Sequence, residues 1–150
     1  MRLRAGLAYF FRLVCCLLPG IAGLSAGIEF ILQQGREALL AHELHLATRL
    51  ETGLSRLPGV HVLHPSVRGT GVVSFKVDYM NPADVGSILD QGFEIAVRTG
   101  LHCAPLAHRT LGTFHDGTVR VSPGFSTTDA DIDYFEIAQS IRFFYPLACN

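Results

Sequence analysis

The stretch VRTGLHCAPLAH, residues 97 to 108, sets Cys103 between His102 and His108, just after Arg98 and Gly100. A cysteine in such company has three readings: a small buried hydrophobe, a metal ligand or a nucleophile. Unpaired cysteines are among the most buried residue types, but Gly100, Pro105 and two histidines between predicted strands are loop composition. Loops carry chemistry more often than cores do. Structural zinc sites combine paired cysteines and histidines at short fixed separations. His102, Cys103, His108 and His115 have no such spacing, and no carboxylate cluster nearby suits a harder cation. A nucleophile needs a partly exposed thiol near positive groups, because the thiolate is the reacting form. Arg98, His102 and His108 are suitable neighbours. Arg120 ends the next predicted strand. A strand-end arginine can be a plain solvated charge, but arginine is also the side chain that grips a carboxylate with two parallel hydrogen bonds. A soft nucleophile beside a carboxylate clamp suggests chemistry on an amino acid or another small acid carrying sulfur.

These residues need elements to position them. From Ile21 to Leu57 polar and apolar residues recur at helical spacing, with Leu40, Leu44, Ala47, Leu50, Leu54 and Leu57 on one stripe. Gly35 is the expected break and LPG at 57 to 59 the stop. Strands are predicted at 60 to 65 and at 70 to 77, where Val73, Phe75 and Val77 alternate with Ser74 and Lys76. Asn81 can cap a short helix with Pro82 in its first position and Gly92 at its exit. FEIAV, residues 93 to 97, reads as a third strand delivering the chain to Arg98, and GTVRVS, 117 to 122, as a fourth carrying Arg120. Thr128 and Asp131 cap a last helix with Ile132, Phe135, Ala138 and Ile141 inside and Pro146 closing it. The order predicts an α+β fold, a small, mainly antiparallel sheet with helices on one face.

With 150 residues, 49% of them hydrophobic, the chain suits one well-buried core. Twelve Lys+Arg against thirteen Asp+Glu leave a net charge of -1, so no basic field favours nucleic acid. Cys15, Cys16, Cys103 and Cys149 are too unevenly spaced for a disulfide framework, and a reducing cytoplasm is expected. The start, MRLRAGLAYFFRLVCCLLPGIAGLSAG, has the basic end, apolar run and small residues of an export signal. Arg12 splits that run, however, and the apolar stretch beyond it is shorter than the roughly 20 residues that span a bilayer. A membrane partner is not expected; export is the alternative.

VRTGLHCAPLAHRTLGT, GTVRVSPGFSTTDADID and LPGIAGLSAGIEFI resemble the C-terminal part of class V aminotransferase-like enzymes, in particular the cysteine desulfurases of the group that includes selenocysteine lyases. The resemblance runs from about Leu18 to about Ile141. It implies the small domain of a fold-type I transferase dependent on pyridoxal 5'-phosphate (PLP), acting on L-cysteine to leave L-alanine. It further implies Cys103 as the persulfide-forming nucleophile, Arg120 as the clamp on the substrate carboxylate, and a supporting part for His102 in loop shape or thiol electrostatics. A sulfur-acceptor protein is the implied downstream partner.

Two departures qualify this expectation. PLP enzymes hold their cofactor on a lysine, and the single lysine, Lys76, lies in a plain alternating strand. Residues 18 to 150 are therefore expected to be the small domain alone, preceded by an atypical apolar segment at 1 to 17, with the lysine-bearing large domain or a homodimer partner supplied from elsewhere. Alone, such a chain should be inactive. Pro123 after Ser122 removes a backbone donor near Arg120. If cleavage occurred after Ala26 it would remove LPGIAGL, so export and the family fold oppose each other. A sulfur-carrier or binding module that keeps the reactive cysteine without PLP is the rival reading.

Overall fold

The computed structural model describes residues 3 to 64 and 69 to 144, with side chains described over 17 to 64 and 69 to 138. The chain divides into two compact units, Met1–Leu39 and Leu40–Asn150.

The first unit is built on α1 (Leu3–Gln34). Helix begins well before Ile21, so the apolar stretch that reads as an export signal is helical from Leu3 onward, and Pro19 sits inside it. The expected break is at Gly35, whose φ of 83° ends α1. Among the described residues no helix is long and apolar enough to cross a membrane.

In the second unit α2 (Arg36–Ser55) contributes Leu46, Ala47, Leu50 and Leu54 to the core. Leu40, expected on this stripe, is instead exposed, and Leu46, one turn before Leu50, is fully buried. Strands β1 (Val60–Leu63) and β2 (Val73–Val77) follow. Val73, Phe75 and Val77 are buried in alternation with Ser74 and Lys76, as the pattern predicts. Helix α3 (Pro82–Phe93) starts as expected, with Asn81 Oδ1 accepting from the Ala83 N–H at 2.9 Å and Pro82 in the first turn.

The exit of α3 departs from expectation. The chain leaves the helix at Glu94, in the left-handed region with φ 56°, rather than at Gly92. Phe93 is consequently the last helical residue, and FEIAV is not a strand; β3 is only Arg98–Gly100. Two physical reasons account for this. Phe93 packs partly buried against the core from the helix end. Continuing the Arg98–Arg120 register backward would also set Ile95 opposite Pro123, which has no N–H to donate to a ladder.

Helix α4 (Pro105–Thr110), strand β4 (Thr118–Val121) and helix α5 (Asp129–Phe144) complete the unit. The start of α5 is a reciprocal cap: Asp131 Oδ2 accepts from the Thr128 N–H at 2.8 Å, and Thr128 Oγ1 accepts from the Asp131 N–H at 3.3 Å. Ile132, Phe135 and Ala138 face inward. The side chain of Ile141 and the whole of Pro146 lie outside the described residues. Arg49 of α2 pairs with both Asp129 and Asp133, tying α2 to α5.

The four strands form one antiparallel sheet in the order β1-β2-β4-β3. The fold is thus the expected α+β arrangement. Residues of α2, α3 and α5 join Val60, Val73, Phe75, Val77 and Val119 in a single core, and Phe75 meets Phe135 edge-on with ring centroids 6.4 Å apart.

Candidate active site

Because strand side chains alternate, the face opposite the core carries Ser74 and Lys76 of β2, Thr118 and Arg120 of β4, and Arg98 of β3. The register sets Arg120 opposite both Ser74 and Arg98, and Gly100 opposite Thr118. Helix α4 adds Ala107 and His108 to this face. With Ser74, His102 and Thr118 they help line a cleft of about 380 Å³.

Between β3 and α4 the chain reverses in a tight turn, with the Ala104 N–H donating to the Leu101 carbonyl at 2.8 Å. Its two central residues are His102, φ 52°, and Cys103, φ 60°. Both are left-handed, as in turns that normally hold Asn-Gly. Each side chain there costs roughly 1–2 kcal/mol relative to glycine, so the turn is held by its surroundings. The result is an exposed Cys103 thiol. Arg98 Nη2 donates to Cys103 Sγ at 3.5 Å, placing a permanent positive charge where sulfur would carry a negative one. Of the three expected cationic neighbours, the arginine is the one that touches the sulfur.

The histidines serve differently. His102 Nε2 lies 3.0 Å from Thr118 Oγ1. Burial, and then the charges of Arg120, His108 and Arg98, hold its pKa below the ordinary value of 6.5, so it is neutral at pH 7. His108 is buried, with Nδ1 2.7 Å from Thr113 Oγ1. Its ring sits 5.6 Å from that of His102. Thr113 and Thr118 were legible only as a loop residue and a strand residue; nothing in their spacing marks them as histidine partners. His115 contacts the Phe114 ring instead. Among the described residues no three His, Cys, Asp or Glu side chains converge as a metal site.

Arg120 and Arg98 face each other across the β3–β4 pair. Like charges directly opposite are destabilising. The buried Arg120 Nε and His102 Nδ1 have no hydrogen-bond partner among the described residues. Among the described residues, the strand positions of this face hold cationic and polar side chains and no carboxylate. Lys76 shares this face but, like Arg98, Cys103 and Arg120, does not line the cleft around His102 and Thr118, so that cleft offers no lysine that would hold PLP.

The class-V aminotransferase family model matches residues 16–135. A probable cysteine desulfurase of Methanothermobacter thermautotrophicus is 31% identical over 116 residues, which are 77% of this chain and 29% of that protein. The apo cysteine desulfurase of Thermococcus onnurineus NA1 superposes with a TM-score of 0.72 at 35% identity, over 78% of this chain and 29% of the other. The Escherichia coli cysteine desulfurase CsdA, solved with an S-sulfonic acid, gives a TM-score of 0.73 at 26% identity, over 81% and 29% of the two chains. This chain thus spans under a third of the length of these relatives. The family match takes in the whole sheet, the Cys103 turn and Arg120, and on that match the chain belongs to the class-V aminotransferase family.

Proposed function

We propose that this chain supplies the sulfur-accepting and carboxylate-binding part of a PLP-dependent cysteine desulfurase. Residues 18 to 150 act as its small domain, and residues 1 to 17 as an atypical apolar segment that is helical from Leu3 within α1. The observation that carries the reading is the exposed Cys103 thiol held against the Arg98 guanidinium, on the face where the buried Arg120 Nε has no hydrogen-bond partner among the described residues. The substrate is L-cysteine. Arg120 binds its carboxylate, and Cys103 Sγ attacks its sulfur. An S–S bond forms, the C–S bond breaks with its electron pair passing to carbon, and protonation of that carbon gives L-alanine. Carbon is reduced and sulfur oxidised to the persulfide level, so no external oxidant is needed. PLP, bound through a lysine other than Lys76, would supply the electron withdrawal that loosens the C–S bond. The persulfide then passes its outer sulfur to an acceptor thiol by exchange. His102 keeps a supporting part in the shape of the turn. A reducing compartment, the cytoplasm, suits a thiol that must stay free.

The test joins this chain to the lysine-bearing remainder of the Methanothermobacter thermautotrophicus relative and measures sulfide and alanine from L-cysteine with dithiothreitol present, whose two thiols supply the electrons that free sulfide from the persulfide. The chain alone should release neither. The combination should release both in equal amounts, lose sulfide release on Cys103→Ser, and show a raised KM on Arg120→Lys. Turnover by the chain alone, or an equally active Cys103→Ser combination, would overturn the reading. A second reading, a sulfur carrier that works without PLP, is favoured by the cleft's lack of a lysine. It predicts that Cys103 takes up sulfane sulfur from a small persulfide donor while the combination stays inactive.

A further inference from the structure

The turn that presents Cys103 is conformationally expensive, and little within it keeps it in place. Two consecutive non-glycine residues, His102 and Cys103, are left-handed. Inside the turn one backbone hydrogen bond, Ala104 N–H to Leu101 carbonyl, closes the loop. Outside it His102 reaches across to Thr118 Oγ1 at 3.0 Å, and Thr118 is only 1% exposed, fixed in β4 opposite Gly100. Because Gly100 lies just before the turn, Thr118 is anchored to the same strand pair that launches the turn. It is the one described hydroxyl that bonds a side chain of the left-handed pair.

We propose that Thr118 is the positioning residue for the nucleophile: through its hydrogen bond to His102 it holds the left-handed turn that keeps Cys103 Sγ against Arg98. Thr118 acts through His102, by denying the turn its relaxed conformations. Without that bond His102 can return to the ordinary backbone region, Cys103 follows, and the thiol leaves the guanidinium. The idea rests on the sulfur-transfer reading for its meaning. The geometry it concerns can be measured without PLP or substrate.

The measurement is selective alkylation of Cys103 in the full chain, followed by mass spectrometry of its peptide, with anionic iodoacetate and neutral iodoacetamide compared at one pH. A guanidinium beside the sulfur draws in the anionic reagent, so the iodoacetate-to-iodoacetamide rate ratio reports the Arg98–Cys103 contact. A unit charge at about 4 Å in a water-like medium is worth about a fivefold change in that ratio. Thr118→Val, which keeps the shape and removes the hydroxyl, should lower the ratio about fivefold, as should Arg98→Gln. Thr118→Ser should restore it to within about twofold of the parent. Because both substitutions undo one contact, Thr118→Val with Arg98→Gln should fall no further than either alone. An unchanged ratio in a folded Thr118→Val protein, or effects that multiply in the double variant, would overturn the proposal. Should Thr118→Val fold poorly, Thr118→Ala read by the same ratio decides in its place. A proposal sound in geometry with no desulfuration by the combined enzyme would leave Thr118 its role and remove only the chemistry assigned to Cys103.

Discussion

Replacing Gly117 with alanine should do more damage than any other single added methyl near the site, and the structure says how much. Gly117 precedes β4 with φ 77°, and an added Cβ would land on the Gly100 carbonyl and 2.7 Å from its Cα. Two costs add. Alanine in the left-handed region costs about 1–2 kcal/mol, and forcing two backbones apart costs about 1–3 kcal/mol more. The total is about 2–5 kcal/mol. Gly100 and Gly124 separate these contributions. Gly100 has φ 97° and open space around its missing Cβ, whereas Gly124 has open space and no positive φ. Gly100→Ala should therefore cost about 1–2 kcal/mol, and Gly124→Ala no more than about 0.5 kcal/mol. Urea unfolding followed by far-UV circular dichroism gives each value from the midpoint and slope. If Gly117→Ala costs no more than Gly100→Ala, the close approach of the two glycines is not as described and the geometry at the root of the cysteine turn must be redrawn.

Two further outcomes concern protons. His102 has its pKa held below 6.5 by burial and by the nearby arginines, so its contribution to stability is whole above pH 6.5 and is lost as the pH falls through the lowered value; an NMR titration of its ring should show a midpoint below 6.5, and one at or above it would refute the burial argument. Asp131 is held below its ordinary value of 3.8, chiefly by the Thr128 N–H and then the Thr128 hydroxyl. Its stabilising effect is complete above that value and disappears as the pH drops through the lowered one. Asp131→Asn should lower the urea midpoint at pH 6 and narrow its difference from the parent at pH 2; an equal deficit at both would mean that the cap does not depend on the charge.

The sequence makes legible whatever is decided locally. Alternation in VVSFKV names the buried face of β2, and Asn81-Pro82 and Thr128 with Asp131 mark their helix starts through side-chain chemistry that needs no distant partner. Gly35 breaks the long helical stretch where expected. FEIAV misleads because β-branched and aromatic residues suit a strand, whereas Phe93 finds its burial from a helix end and the partner strand meets Pro123. Gly92 is passed over because a glycine inside a helix costs only about 1 kcal/mol, less than burying Phe93 can return. The stripe on α2 is off by one neighbour, Leu46 for Leu40, because the sheet sets which part of a helix face is covered. At the candidate site, residue type and loop composition single out Cys103 and Arg120 as expectations. They do not single out the left-handed turn or Thr118, since both arise from the pairing of β3 with β4.

That pairing also explains why the charges fall as they do. Antiparallel register sets Arg98 and Arg120 across from each other on one face, an arrangement a plain structural sheet would avoid. Protonating His102 would add a third cation, and its lowered pKa keeps that charge away. The two facing arginines then have different tasks on the proposed reading: Arg98 is engaged with the Cys103 sulfur, and Arg120, whose Nε has no partner among the described residues, is left for the substrate. An amino acid that brings a carboxylate and a sulfur atom on one small frame answers both needs at once. A substrate with the carboxylate alone would relieve Arg120 but offer nothing to the thiol. On the proposed reading, the two arginines thus suit the two ends of a sulfur-bearing amino acid.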